Sequence, residues 1–295
     1  MEYYDSLKNI IFNISKYGSN NFIIITGGIG DFFILDSFFS FSRNKNIIFI
    51  TRQSIRLKKL MNDYNGKNKY YALYFNFSLL KKPGFDNSEE LLKYIPIFKK
   101  IRIPIINIRE YFQHIRNNIN NNFICNDNFL NKIVKTNIKQ IFCLPETYAI
   151  ICPFTEDRRI DCIQCNYVHR GIQKNCKLTR NFIHEDYINV LEYLKKINVI
   201  AVIISKEKII IKNNEYDDIL INYSARNISL MDCIEIVKQS SYYFGVDGAF
   251  STIANKILDN DKIFIKCNNK HGHSNKDIYW YPNKDIRLQP IIQIS

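Results

Sequence analysis

Three groupings of residues in this chain have the types and spacing to do chemistry. The first is Thr26-Gly27-Gly28-Ile29-Gly30-Asp31. It follows a short apolar run, Phe22 to Ile25, and precedes apolar residues at Phe32, Phe33, Leu35, Phe38 and Phe39, close to helical spacing. Strand, glycine turn, helix is how an α/β domain offers backbone N–H groups to an anion. Gly27, Gly28 and Gly30 let the main chain come close to a ligand, and the helix dipole favours negative charge there. Asp31 places a carboxylate where a phosphate would be expected. It either caps the helix or faces a reacting group.

The second grouping is Asp247-Gly248-Ala249-Phe250, again between a short apolar run and a helical pattern. The third is a set of thiols. Of the eight cysteines, Cys162, Cys165 and Cys176 fall in one polar stretch with Cys-x2-Cys spacing, which puts two thiolates on one tetrahedral ion. Cys267, His169, His271 or His273 could supply the fourth ligand of a structural zinc or iron. The alternative is free thiols in a reducing compartment. Cys143 and Cys233 read as ordinary buried thiols. An Asp-x-Asp, Asp259-Asn260-Asp261, has the form a metal-assisted transferase would use, but it lies between a helix and a strand and reads as a solvated turn.

The elements that must position these residues alternate along the chain. A first helix is expected over residues 4–17, with Leu7, Ile10, Ile11 and Ile14 on one face. Strands are expected at 22–25, 46–51, 70–75 and 103–108, the last interrupted by Pro104, and helices at 55–64 and 88–100, with weaker helical patterns at 111–119 and 129–138. Leu144-Pro145-Glu146 reads as a linker. The alternation then restarts: strands at 148–152, 199–205, 209–211, 219–222, 242–246 and 262–266, and helices at 186–196, 229–239 and 250–258. Ser229 with Asp232 reads close to a capping box. A long basic, cysteine-bearing loop spans residues 156–181. The expected fold class is α/β, with two Rossmann-like domains, 1–146 and 147–295, facing each other across a cleft. Asp31 and Asp247 then fall at the carboxyl ends of strands, one in each half, where ligands of such sheets sit.

Composition bounds the partners. Among 295 residues there are 41 Lys and Arg against 28 Asp and Glu, a formal charge of +13. A polyanionic partner is one explanation. The chain is also uniformly rich in Ile, Asn and Lys, and no basic–aromatic nucleic-acid motif is visible, which favours small anionic ligands over a nucleic-acid surface. Hydrophobic residues make up 46%, enough for a sizeable core. No stretch of about 20 uncharged apolar residues occurs, so no spanning helix is expected. The start, MEYYDSLKNI, lacks a basic, apolar leader, and the expected location is cytoplasmic.

The glycine turn and the late block SLMDCIEIVKQSSYYFGVDGAFSTIANKIL (229–258) together resemble the ADP-heptose:lipopolysaccharide heptosyltransferase family, glycosyltransferase family 9. GGIGDFFILDSFF resembles that family's first strand–turn–helix, a Gly-x-Gly-Asp opening, and Cys152-Pro153-Phe154 sits where the family has the phosphate-side loop of its second domain. The resemblance covers most of the chain through short motifs. It implies the GT-B fold and transfer of a sugar, possibly a heptose in the family's manner, from a nucleotide-diphosphate donor to an acceptor hydroxyl. The acceptor would be a glycan, a lipid-linked sugar or a protein side chain. It implies that Asp31 is the base, that Asp247 binds donor-sugar hydroxyls, and that the N–H groups of Gly248, Ala249 and Phe250 hold the diphosphate. Arg158 or Arg159, not a metal, would stabilise the leaving group, and no catalytic cofactor is expected. A metal, if held, staples the cysteine loop, as cysteine-bound iron does in some relatives.

The chain departs from the family at three places. The family's Thr-Gly after the late Asp is Gly248-Ala249, its His falls on Thr252, and its second-domain lysine has only Arg158 and Arg159 as candidates. A catalytically inactive GT-B relative is therefore one alternative, and a non-enzymatic, basic, metal-stapled nucleic-acid-binding protein another. A nicotinamide-binding fingerprint fails: position 33 is Phe where a third glycine is needed, and the second strand ends in Thr51-Arg52 without an acidic residue.

Overall fold

The computed structural model describes residues 7–30, 32, 46–51, 69–75, 88–103, 105–106, 137–153, 159–162, 167–170, 182, 184–211, 214–246 and 248–266. The expected helices at 55–64 and 111–119, and nearly all of that at 129–138, lie outside them. The chain divides into two compact units, Met1–Val134 and Lys135–Ser295.

The first unit is built on a four-stranded, wholly parallel sheet: β1 (Phe22–Thr26), β2 (Asn46–Thr51), β3 (Lys69–Tyr74) and β4 (Ile105–Ile106), in the order β3-β2-β1-β4. All five residues of β1 are buried, which is why the strand reads as an unbroken apolar run: a parallel sheet is covered on both faces. On one face pack α1 (Leu7–Tyr17), through Ile10 and Ile14 one turn apart, and the pair α2 (Ser88–Tyr94) and α3 (Pro96–Lys100), through Leu91 and Phe98. The single expected helix over 88–100 is thus two. Pro96 forces Ile95 out of helical geometry (φ −128°, ψ 65°) and then serves as the first residue of α3. Of the expected 103–108 strand, Ile105–Ile106 forms β4 and Ile103 lies before it, while 104, 107 and 108 lie outside the described residues.

The second unit holds a five-stranded parallel sheet of β5 (Tyr148–Cys152), β8 (Ile200–Ser205), β9 (Leu220–Ser224), β10 (Tyr242–Val246) and β11 (Ile263–Lys266), in the order β11-β10-β5-β8-β9. The short α4 (Ile138–Ile141) belongs to it, and the division therefore falls at 134/135, not at 146/147: α4 packs on α6 (Leu230–Lys238), and the Tyr223 hydroxyl donates to the Phe142 carbonyl. α5 (His184–Lys196) covers one face of the sheet with Tyr187, Val190, Leu191 and Leu194 against Ala149, Ile151, Ile203 and Phe244. Ser229 caps α6 as its sequence predicts, its Oγ accepting from the Asp232 N–H at 3.1 Å. α7 (Ala249–Ile257) follows β10.

Three expectations are corrected here. The loop 156–181 is not wholly irregular: β6 (Arg159–Cys162) and β7 (Tyr167–Arg170) pair antiparallel within it, Cys162 opposite Tyr167. Residues 209–211 form no strand. The Ile209 N–H donates to Ser224 Oγ and its carbonyl accepts from Asn222 Nδ2, each at 3.0 Å, so side chains satisfy the groups a neighbouring strand would have used. Cys233 is buried as expected, but Cys143 is exposed, because it stands in the left-handed turn (φ 49°) by which the chain leaves α4.

Candidate active site

Both sheets change direction beside the strand that carries a glycine turn. In the first unit the chain runs outward from β1 to β2 and β3, then returns to β4 on the other side of β1. In the second it runs outward from β5 to β8 and β9, then returns to β10 beside β5 and goes on to β11. The carboxyl ends of β1 and β4, and of β5 and β10, therefore flank a topological switch point in each sheet. In open α/β sheets ligands bind outside the carboxyl ends of the strands at such a point.

The first turn is built by the ladder and by apolar packing. The Gly27 N–H still donates across to Ile50, at 3.2 Å. The Gly28 carbonyl then accepts from the Phe32 N–H at 3.2 Å, which makes it the last residue before a helical turn that includes 29, 30 and 32. The Phe32 ring is fully buried and meets Phe49 edge to face at 6.3 Å, which anchors the turn to the sheet. Asp31 lies outside the described residues.

The second turn is built by hydroxyls. The Gly248 N–H donates to Ser251 Oγ at 2.8 Å, and the Gly248 carbonyl accepts from Ser251 Oγ at 2.8 Å, from Thr252 Oγ1 at 3.0 Å and from the Thr252 N–H at 3.1 Å. Ser251 and Thr252 are 0% and 3% exposed. The Gly248 N–H, one of three donors expected for an anion, is thus used inside the protein. The N–H groups of Ala249 and Phe250, first and second in α7, have no acceptor within the helix. Thr252, which stands where the resemblance would place a His, closes the turn.

The strand before this turn is shaped by Gly245. A Cβ there would lie 2.6 Å from the Tyr243 hydroxyl and 2.7 Å from the Cys152 carbonyl. Its absence lets the buried Tyr243 ring fold along β10 and donate its hydroxyl to the Val246 carbonyl at 3.3 Å, the last strand residue before Asp247. Opposite Gly245 is Cys152, the last residue of β5. Burial, and secondarily the nearby Cys233, pushes the Cys152 thiol well above its ordinary range.

Of the remaining candidates, Arg158, Cys165, Cys176, Asp247 and Cys267 lie outside the described residues. Arg159 and Cys162 are the first and last residues of β6. Among the described residues no three His, Cys, Asp or Glu side chains are grouped as metal ligands. The Asp259-Asn260-Asp261 stretch is a polar turn, with Asp259 paired to Lys262 at 2.8 Å. Sequence reasoning passes over Ser251 and Thr252, since a capping pattern is sought after a side chain that can accept, and here the capped residue is glycine. It also passes over Lys266, which ends β11 and pairs with Asp186 of α5.

No protein-family model matches the sequence, and no characterised protein matches it in sequence. In structure the chain is similar to ADP-heptose lipopolysaccharide heptosyltransferase II of Escherichia coli, at 12% identity and a TM-score of 0.48, over 82% of this chain and 83% of that one. It is similar to a glycosyl transferase family 9 protein of Veillonella parvula at 8% identity and a TM-score of 0.45, over 93% and 95%. It is also similar to a UDP-GlcNAc 2-epimerase of Methanocaldococcus jannaschii at 11% identity and a TM-score of 0.39, over 92% and 94%. Among the described residues no helix is long and apolar enough to cross a membrane.

Proposed function

We propose that this protein is a metal-independent glycosyltransferase that moves a sugar, in the manner of a heptosyltransferase, from a nucleotide-diphosphate donor to an acceptor hydroxyl. The observation that carries the reading is positional. Each of the two parallel sheets ends a strand at its switch point in a glycine turn, and each turn carries an aspartate in the sequence. Two Rossmann-like units, one for acceptor and one for donor, are what the GT-B arrangement needs.

In this reading Asp31 accepts the proton of the acceptor hydroxyl as that oxygen attacks the anomeric carbon. Asp247 binds hydroxyls of the donor sugar. The Ala249 and Phe250 N–H groups, with the dipole of the nine-residue α7 behind them, hold the diphosphate. As the glycosidic bond to phosphate breaks, charge grows on the departing oxygen, and those donors with Arg158 or Arg159 stabilise it. Ser251 and Thr252 hold the turn in shape before the ligand arrives, so little reorganisation is needed. A zinc or iron held by Cys162, Cys165, Cys176 and Cys267 would brace the 156–181 segment, outside the chemistry. Metal analysis of the purified protein should then find about one ion per chain, lost in Cys162→Ser/Cys165→Ser. A metal-free protein that still binds its donor would remove the metal from the proposal.

The deciding experiment is a thermal-shift panel of ADP-, GDP-, UDP- and CMP-sugars, NAD(P) and a DNA duplex. A ligand at about 100 times its dissociation constant adds about 2.7 kcal/mol, which is easily seen. A rise with one nucleotide sugar alone, followed by transfer to an acceptor, supports the reading. A donor shift without turnover assigns an inactive relative. A salt-sensitive shift from DNA with none from sugars overturns it.

A further inference from the structure

Among the described residues β6 and β7 form a two-stranded sheet of their own and add no strand to the five-stranded sheet of their unit. Two antiparallel strands by themselves are marginally stable in water. This pair carries a further penalty: Arg159 stands directly opposite Arg170, and like charges so placed repel. A unit too small for a core is held by a staple, either a disulfide or a metal. The ladder shows which one fits. Its pairs are Arg159 with Arg170, Ile160 with His169, Asp161 with Val168 and Cys162 with Tyr167. Successive residues of a strand alternate between faces, so Ile160, Cys162, Tyr167 and His169 share one face of the ribbon. There Cys162 and His169 are diagonal neighbours on opposite strands, about 7–8 Å apart. A thiolate and an imidazole at that separation can meet on one ion, through bonds of about 2.3 Å to sulfur and about 2.0–2.1 Å to nitrogen. A disulfide has no use for the histidine. Cys165 belongs to the stretch 163–166 that joins the strands, so the segment reads Cys162-x2-Cys165-x3-His169-x6-Cys176, a three-thiolate, one-imidazole set in one run of chain. Cys267 comes after β11, outside this ribbon.

We propose that His169, in place of Cys267, completes the metal site with Cys162, Cys165 and Cys176, and that the zinc or iron bound there holds β6 to β7. The assignment rests on the metal of the preceding reading, changes one of its ligands, and is independent of sugar transfer. Three thiolates around a divalent ion leave one net negative charge. Arg159 and Arg170, at the open end of the same ribbon, supply the opposite sign, which gives the opposed arginines a reason to be there. The staple also fixes the backbone of Arg159, one of the two arginines assigned to the leaving group.

The test is cobalt(II) titration of the full chain after chelation, followed by absorption, for wild type, Cys267→Ser, His169→Ala and His169→Cys. Thiolate-to-cobalt charge transfer counts the thiolates, and the visible bands report a tetrahedral ligand field. Wild type should take up about one cobalt per chain, and Cys267→Ser should match it in affinity and spectrum. His169→Ala should bind about tenfold or more weakly, since even residues that only support a ligand cost that much. His169→Cys should restore binding with stronger charge transfer and visible bands moved to longer wavelength, which follows only if position 169 is itself a ligand. Cobalt should also slow tryptic cleavage after Arg159 and Arg170 in wild type; equal rates with and without it would overturn the stapling role. If Cys267→Ser loses cobalt while both His169 variants bind and absorb as wild type does, Cys267 is the fourth ligand and this inference falls, while the metal of the preceding reading stands. If wild type binds no cobalt, the metal and this inference fall together, and the transferase reading, which routes no step through the ion, stands.

Discussion

The turn after β1 and the turn after β10 both stand beside the switch point of a parallel sheet, one after the strand from which the chain sets out and the other after the strand to which it returns, and different forces hold them. The first is anchored through its helix: Phe32 is inserted fully into the core against Phe49, and the backbone of Gly27 is still part of the sheet ladder. The second is anchored at its own peptide, where Ser251 and Thr252 surround the Gly248 N–H and carbonyl. An apolar anchor couples a turn to the stability of the whole unit. A hydroxyl lock is local, and can set the shape of a binding turn with little effect on global stability. In the proposed enzyme that division suits a base that must be rigidly placed and a diphosphate site that must be pre-shaped.

Several substitutions would break or sharpen the contrast. The largest effect is expected from Asp31→Asn, which should slow transfer by about 100- to 10,000-fold while leaving donor affinity unchanged, measured as product formation beside donor titration. Lost donor binding with preserved transfer would reverse the roles given to the two turns. Phe32→Ala should cost about 3–5 kcal/mol in urea unfolding. The control is Phe12→Ala on α1, where the ring is 66% exposed; equal costs for the two would show that the first turn is not core-anchored. Gly245→Ala should cost about 1–3 kcal/mol, because the new methyl meets the Cys152 carbonyl at 2.7 Å and backbone must move.

Ser251→Ala should cost only about 1 kcal/mol in stability, with a measurable loss of donor affinity. A stability loss as large as that of Phe32→Ala would erase the distinction between lock and anchor. The smallest effect is alkaline. Burial, and then the neighbouring Glu235, raises the Tyr148 phenol above its ordinary value of 10.0. The unfolded chain releases that proton more readily, so the stabilisation is complete below pH 10 and is lost as pH climbs beyond it. Tyr148→Phe should flatten the alkaline limb of a stability–pH curve; an unchanged limb would show that this phenol does not contribute.

The legible parts of the fold are those with one dominant local signal. β2, β5 and β10 are readable to the residue, because a strand buried on both faces has no reason to carry polar side chains. The Ser229 cap is readable because its accepting oxygen is in the side chain. Features decided by contacts distant in the sequence are not. Ile209 has the composition of a strand, yet Asn222 and Ser224 satisfy its backbone. Ile95 and Pro96 sit inside a helical pattern whose periodicity hides the break.

The same division runs through the candidate site. Local chemistry is enough to mark Gly27 to Asp31 and Asp247 to Phe250, since glycine beside a carboxylate at the end of an apolar run is a signal within a few residues. Strand order is not written in any local stretch. Only the tertiary structure puts both turns at switch points, uses the Gly248 N–H internally, and brings Asp186 to Lys266 across 80 positions of sequence. The physical reason is range: propensity, capping and periodicity act over one or two turns of chain, whereas strand order and buried charge pairing are settled by which packing of the whole unit excludes the most water at the least cost in unpaired polar groups.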